Sequence, residues 1–373
     1  MINKNIFIHG CARMAGGSIW VSLLECNGLV KIDVTNGRLS FVGVFPWQDS
    51  GYQMYNRICE YEDKLIFTPW NANHIAIYDW KKSEFRQISL KDYGYKKGGR
   101  FVYDTQEGEK LYLVSENAKD IMVFHMQKET IEKIYAFTEY DYQYSPSKCT
   151  LSIRIKNDIW EVADNRLLWK FNLLSEQYEQ AELSEQMQMV YAGCGSDEYL
   201  WLLVTNSLFY QFTSDGKYVR KYDLSELLQH KLQDSVEVES LAGLYLEGNV
   251  FLMWYSKKKL FRIPMWDNEL KPEEAKCYEM NDAFLFLGDQ LMVNTNNKMY
   301  YFDGYMQKEI TIEQDQDFKG IFLRGNEERI NECKFLTVED FVTNLIRRGK
   351  MPVAKRVLET MIGCEIYKSV YTK

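Results

Sequence analysis

The chain has 373 residues, 46% of them hydrophobic and 15% aromatic, which is enough apolar material for a large globular core. Its 45 lysines and arginines stand against 53 aspartates and glutamates, and the net charge of −8 argues against a protein that binds nucleic acid by neutralising phosphates. The eight cysteines form no C-x-x-C pair, and no apolar run is long enough for a signal-peptide core or a membrane span, so we expect a cytoplasmic protein with reduced thiols and no membrane insertion.

Short apolar triplets recur along most of the chain at intervals of 41 to 50 residues. A second apolar stretch begins eight to ten residues after most triplets, and a third follows a further polar turn. A fourth stretch precedes the triplet, as at 57–61 and 101–104. The triplets lie at 19–21, 65–67, 111–113, 159–161, 200–202, 250–252 and 291–293.

Four short strands in each of seven units predict an all-β fold, a seven-bladed β-propeller over residues 1–324, with six or eight blades as the alternatives. A single sheet cannot bury both of its faces, whereas a closed ring of sheets can. Closure also removes exposed sheet edges at the ends of the ring. Two stretches are candidates for the closing strand, residues 4–8 and residues 318–323.

The second unit is the most regular copy, and at 69–75 it reads Pro-Trp-Asn-Ala-Asn-His-Ile before Ile-Tyr-Asp at 77–79. With its neighbours over residues 18–313, it resembles the blades of Kelch and YVTN-type bacterial propellers. The paired glycines of Kelch blades are represented by Gly16 and Gly17, and WD dipeptides do not end each unit. The resemblance implies a propeller geometry and no particular activity.

Residues 325–373 change to a helical period and predict a small C-terminal α-helical hairpin. Thr337 and Asp340 form a capping box, Gly349 suits the end of the first helix, and Pro352 suits the start of the second. We expect the hairpin to pack on or beside the propeller. The alternative is a docking or dimerisation element.

Sequence motifs for catalysis are absent: there is no glycine-rich phosphate loop, no H-E-x-x-H and no G-x-S-x-G. The four histidines lie in different units, without the spacing of metal ligands. We therefore expect neither a metal nor a cofactor.

Aromatic and polar residues are concentrated in the loops that enter the innermost strands of units two to four and in the turns between second and third strands. In a propeller these segments surround one mouth of the channel, and such residues suit a sugar or an extended peptide. The alternative is that they shield the blade edges. The predicted ligand-binding residues of this set are Trp47, Tyr52, Trp70, Asn71, Asn73, His74, Tyr93 and Tyr142.

Three cations, Arg57, Arg100 and Lys148, stand at or near the starts of innermost strands in consecutive units. Their convergence at the same mouth would favour an anionic ligand such as a carboxylate, phosphate or acidic sugar. The alternative is that they pair with neighbouring aspartates and glutamates.

These patterns predict a non-catalytic propeller that binds a protein partner, a glycan-like ligand or an anionic small molecule at this aromatic and basic mouth. The alternative is an enzyme, a hydrolase or lyase that acts on a carbohydrate or acidic small molecule in the central pocket. Asp49, Asp92 and Asp141 would then supply acid and base groups beside the arginines.

Overall fold

Short antiparallel β-strands joined by tight turns make up most of the protein, as the apolar triplets predict. A computed structural model describes residues 10–23, 28–47, 54–95, 99–116, 120–137, 150–163, 166–179, 183–185, 190–196, 198–204, 207–227, 241–255, 259–279, 284–287, 290–292, 298–303 and 306–314. The strands form a six-bladed β-propeller.

The first three blades are four-stranded meanders, in which strands that are consecutive in the chain lie side by side. Their strands are β1 (Gly10–Ala15), β2 (Ser18–Leu23), β3 (Leu29–Asp33), β4 (Arg38–Gly43), β5 (Tyr55–Tyr61), β6 (Lys64–Pro69), β7 (His74–Asp79), β8 (Glu84–Ser89), β9 (Phe101–Glu107), β10 (Lys110–Ser115), β11 (Asp120–His125) and β12 (Thr130–Ala136). The predicted triplets 19–21, 65–67 and 111–113 lie within the second strands β2, β6 and β10.

The next three blades repeat this order, and in the sixth a 3-10 turn at Pro272–Glu274 divides the outermost strand in two. Their strands are β13 (Thr150–Ile155), β14 (Asp158–Ala163), β15 (Arg166–Asn172), β16 (Gln177–Glu179), β17 (Val190–Gly195), β18 (Tyr199–Val204), β19 (Leu208–Thr213), β20 (Tyr218–Asp223), β21 (Leu241–Glu247), β22 (Val250–Tyr255), β23 (Lys259–Trp266), β24 (Glu269–Leu270) and β25 (Lys276–Glu279). A second 3-10 turn, Lys91–Tyr93, follows β8.

The core lies between the blades. In blade two, Leu65 and Phe67 pack with Trp20 of blade one, whereas Ile66 packs with Leu111 of blade three. Successive residues of a strand point to opposite faces, so an unbroken apolar triplet is what a sheet buried on both faces requires.

The seventh predicted unit does not form a blade of its own among the described residues. Its strands are β26 (Phe284–Leu287), β27 (Gln290–Met292), β28 (Lys298–Asp303) and β29 (Met306–Thr311). Here β26 pairs in parallel with β28, and β27 pairs with β1, so the group extends the sheet of blade one. The structure thus shows six blades where seven were expected, because this unit joins an existing sheet instead of forming a separate meander.

The last described strand, β30 (Glu313–Gln314), adds to the outer edge of blade one by pairing in parallel with β4. The N–H of Glu313 donates to the carbonyl of Gly37 at 2.9 Å. Strands from late in the chain therefore hold both edges of the first blade. The predicted closing stretches 4–8 and 318–323, like the hairpin at 325–373, lie outside the described residues.

Carboxylates in the last turn of one blade bind cations of the blade before it. Glu129, in the left-handed conformation at φ 55°, lies 2.8 Å from Lys64 Nζ and 2.8 Å from Arg86 Nη2. Glu176 occupies the same position one blade later, at φ 52°, and accepts hydrogen bonds from Lys110 and from the hydroxyl of Tyr135. We call these two contacts the turn latches.

Blade six is tied to blade five through the equivalent turn with different atoms. The buried Gln211 side chain donates to the carbonyl of Asn268 at 3.1 Å, and Arg220 forms an ion pair with Glu269. The last turn of a blade is thus a recurrent point of attachment to the preceding sheet.

Gly37→Ala should weaken the attachment of β30. Gly37 has φ 72°, and a Cβ there would lie 1.8 Å from the carbonyl oxygen of Thr311. Gly17 has the same φ, but the space that an added Cβ would occupy is open. Gly17→Ala is therefore a matched control that loses only the strain of a left-handed alanine, about 1–2 kcal/mol. We expect the free energy of unfolding in urea to fall more for Gly37→Ala than for Gly17→Ala. Equal losses would contradict a stabilising role for the attachment of β30 to blade one.

Glu176→Gln should lower stability at neutral pH and have less effect in acid. Burial by itself would raise the pKa of Glu176, but the hydrogen bonds from Lys110 and Tyr135 outweigh it and lower the pKa below 4.5. A lowered folded-state pKa gives stability that is complete above the unfolded value and is lost as the pH falls through the folded value. In urea titrations the gap between wild type and Glu176→Gln should therefore shrink below pH 4.5. Glu179→Gln is the matched control, because its carboxylate is 72% exposed and only 4.0 Å from Lys170 Nζ, and it should lower stability at neutral pH by less than Glu176→Gln.

Candidate functional site

One carbonyl joins the loop that enters blade two to the turn between its second and third strands. The oxygen of Met54 accepts the N–H groups of Trp70 at 2.9 Å, Asn71 at 3.2 Å and Ala72 at 3.1 Å. In blade two, the entry loop and the turn between the second and third strands therefore meet at the carbonyl of Met54, as expected for two segments at the same mouth of the channel.

The segment entering blade three is bonded to the same turn. The N–H of Gly99 donates to the carbonyl of Ala72 at 3.2 Å, and that of Arg100 donates to the carbonyl of Trp70 at 3.0 Å. The carbonyl of Arg100 accepts the N–H of Glu116 at 2.7 Å. Backbone bonds thus connect two blades into one frame, which we call the mouth frame.

The 3-10 turn after β8 completes the frame from the outside. The N–H of Leu90 donates to the carbonyl of Asn73 at 3.0 Å, and the Tyr95 hydroxyl donates to Asp120 at 2.6 Å. Burial, with the Lys91 ammonium as a second cause, lowers the pKa of His74 below 6.5. His74 is therefore uncharged at neutral pH.

Of the eleven predicted binding residues, six of those that the structure describes lie on the mouth frame or on the 3-10 turn bonded to it. They are Trp70, Asn71, Asn73, His74, Tyr93 and Arg100. Trp47 lies on the segment that enters blade two and follows Phe45, whose ring packs on Tyr55 at the start of β5. Trp47 and Tyr93 are each 41% exposed, and Trp70 is half-buried. Tyr52, Tyr142 and Lys148 lie outside the described residues.

Arg57 lies deeper, between the innermost strands. Its Nε is 4.0 Å from Asp104 of blade three, and its guanidinium lies over the Tyr103 ring at 4.9 Å. The buried Thr68 hydroxyl donates to the same carboxylate. Sequence reasoning named Arg57 but missed Asp104 and Thr68, whose only local signal was a polar residue at an otherwise apolar strand position.

Arg100 is also paired, with Glu116 at 3.1 Å. Both described arginines assigned to an anionic ligand are therefore engaged by carboxylates of blade three, as the pairing alternative expected. Arg154 likewise binds the edge of β9, donating to Thr105 at 3.1 Å and to the carboxylate of Glu107.

The backbone of Arg100 is left-handed, at φ 44°. Among the described residues, every other non-glycine residue with positive φ lies in a turn between two adjacent strands, whereas Arg100 stands before β9. Such a conformation costs about 1–3 kcal/mol in a residue with a Cβ. An exposed ion pair contributes about 0–1 kcal/mol, so the contact with Glu116 does not offset the strain.

No catalytic or metal centre emerges from the described residues. Asp92, one of the carboxylates that the enzyme alternative would use, is exposed on the 3-10 turn, and Asp49 and Asp141 fall outside the described ranges. Across those ranges no three His, Cys, Asp or Glu side chains are grouped to hold a metal.

No helix in the described part of the chain has the length and apolar character needed to cross a bilayer.

No protein-family model matches the chain, and no curated protein sequence matches it. Solved structures of similar shape include the extracellular domain of BT4673 from B. thetaiotaomicron, at 14% identity and TM-score 0.48 over 72% of this chain and 34% of that one. The chain thus spans about a third of that protein's length. Hsv2p of Kluyveromyces lactis matches at 10% identity and TM-score 0.44 over 70% and 76% of the two chains. BamB of Moraxella catarrhalis matches at 10% identity and TM-score 0.41 over 65% and 68%.

These similarities concern the fold alone. The assignment to the propeller fold rests on the order and pairing of the strands in this chain, and nothing about a ligand follows from the resemblance.

Asp104→Ala should destabilise the junction of blades two and three. It leaves the buried Thr68 hydroxyl without its acceptor and removes the ion partner of Arg57, a loss of about 1–3 kcal/mol. Asp92→Ala, at an exposed position, should stay within about 0.5 kcal/mol of wild type. Urea unfolding measures the stability of both variants. If the free energy of unfolding of Asp104→Ala equals that of wild type, this cluster does not hold the junction.

Proposed function

We propose that the protein is a non-catalytic binding propeller that recognises a protein partner or a glycan-like ligand through the mouth frame of blades two and three. The observation that carries the proposal is that backbone bonds join two blades at the end that carries Trp70 and, on the 3-10 turn bonded to it, the exposed Tyr93. A rigid frame that displays aromatic side chains reduces the ordering cost of binding.

The charges of the face favour a neutral ligand over an anionic one. Arg57 and Arg100 each have a carboxylate beside them, so an anion would compete with Asp104 and Glu116 for the same donors. No specific observation favours the enzyme alternative.

We further propose the finer architecture that the sequence predicts. Strands β26–β29 act as a seventh unit of the ring, which is supported by the packing of Tyr300 against Leu252 and Leu260 of blade six. The C-terminal helical hairpin serves as a docking or dimer element, and the blades are of the Kelch-like kind. A cytoplasmic location is supported by the described cysteines, none of which forms a disulfide.

The double variant Trp47→Ala/Tyr93→Ala tests the proposed function. Wild-type protein is panned against a random linear peptide library and probed on a glycan array, and the affinities of the selected ligands are then measured by calorimetry. We expect at least about a tenfold loss in the double variant with an unchanged melting temperature, because both side chains are exposed.

The matched control is Tyr218→Ala/Trp266→Ala, which removes aromatics 38% and 42% exposed at the opposite ends of their blades. It should bind as wild type does. Equal losses in both double variants, or ligands that bind both as tightly as wild type, would rule out the mouth frame as the binding face.

A further inference from the structure

Arg100 combines three features that no other described residue of the mouth frame shares. Its backbone is held left-handed at φ 44° outside any turn between adjacent strands, its side chain is 56% exposed, and its guanidinium is paired with Glu116. A strained backbone conformation that the surrounding structure holds in place is found most often at functional sites.

The backbone bonds explain how the strained conformation is held. The N–H of Arg100 is bound by Trp70 of blade two, and its carbonyl is bound by Glu116 of blade three. The preceding Gly99 is fixed on Ala72. Arg100 is therefore clamped from both blades, and its side chain is presented at the line where they meet.

The chemistry of the pair identifies the group that it suits. Nη1 of Arg100 binds Oε2 of Glu116, and the guanidinium carries further N–H donors beside a carboxylate that has a second oxygen. Donors and an acceptor lie side by side at the surface. The N–H and the carbonyl of one residue in an extended peptide offer the complementary arrangement, because both point to the same side of the strand. The carbonyl suits the guanidinium and the N–H suits the carboxylate, and neither carries a charge.

We propose that Arg100 is the specificity-determining residue of the mouth frame and that, with Glu116, it recognises the backbone N–H and carbonyl of one residue of an extended peptide partner. The inference rests on the proposed binding function. A peptide fits the accompanying side chains, because Trp, Tyr and Arg are the residues that dominate the energetics of protein interfaces, and Trp70 is bonded to Arg100 through its backbone carbonyl.

The first test compares Arg100→Gly with Arg100→Lys on linear peptides selected from a random library against wild-type protein. Glycine adopts φ 44° without strain, so Arg100→Gly should melt at the same or a higher temperature while losing at least about tenfold in peptide affinity. Arg100→Lys keeps the charge but not the planar fork, and it should lose affinity to a similar degree. A lower melting temperature with unchanged affinity would show that Arg100 is structural and would overturn the proposal.

The second test locates the amide. Each backbone N–H of a selected peptide is methylated in turn, and we expect one position at which methylation weakens binding about tenfold in wild type. Because Glu116 is the expected acceptor of that N–H, the same methylation should cost little in Glu116→Ala. Tolerance of methylation at every position, or a penalty that is equal in wild type and Glu116→Ala, would overturn the proposal.

A third arm separates this inference from the function on which it rests. Oligomers of N-acetylglucosamine carry a secondary amide on a sugar. Binding of these oligomers but of no peptide would support the proposed binding function and reject a peptide as the ligand. If peptides lose affinity for Trp47→Ala/Tyr93→Ala but not for Arg100→Gly, the binding function of the mouth frame is supported and the specificity role of Arg100 is rejected. If no ligand changes its affinity in either variant, both proposals are rejected.

Discussion

Each blade of this propeller has two apolar faces, and the need to bury both against neighbouring blades shapes the rest of the molecule. Ile66 faces blade three while Leu65 and Phe67 face blade one, so blade two can bury its side chains only within the ring. Since apolar burial is the main favourable contribution to folding, no blade is stable alone, and the arrangement of sheets around the channel follows.

Apolar packing alone does not determine how one sheet is rotated against the next. The turn latches supply direction, because Glu129 and Glu176 reach back from the last turn of one blade to cations on the strands of the blade before it. Both glutamates lie in tight turns and have a left-handed backbone. Blade one is held differently, by β27 on its inner edge and β30 on its outer edge.

The same constraint creates the mouth frame at the opposite ends of the blades. Packing of blade two on blade three brings the turn at Trp70 against the segment at Arg100, and the N–H of Arg100 donates to the carbonyl of Trp70. Once Met54 and Arg100 are held in this way, the side chains around them are displayed on a rigid base. The strain at Arg100 is sustained because hydrogen bonds on both sides determine its backbone.

The period of the units and the positions of the second strands of the six blades could be predicted from the sequence. They follow from local chemistry, because the two-residue repeat of a strand and the preference of Asn, Gly and Asp for turns act over a few residues. The triplet at 65–67, for example, lies at the centre of β6. The number of separate blades, the pairing of Arg57 with Asp104 and of Arg100 with Glu116, and the left-handed backbone at Arg100 were decided only by the tertiary structure. These features depend on how neighbouring sheets are rotated and how far their side chains reach, which no pattern within a single unit records.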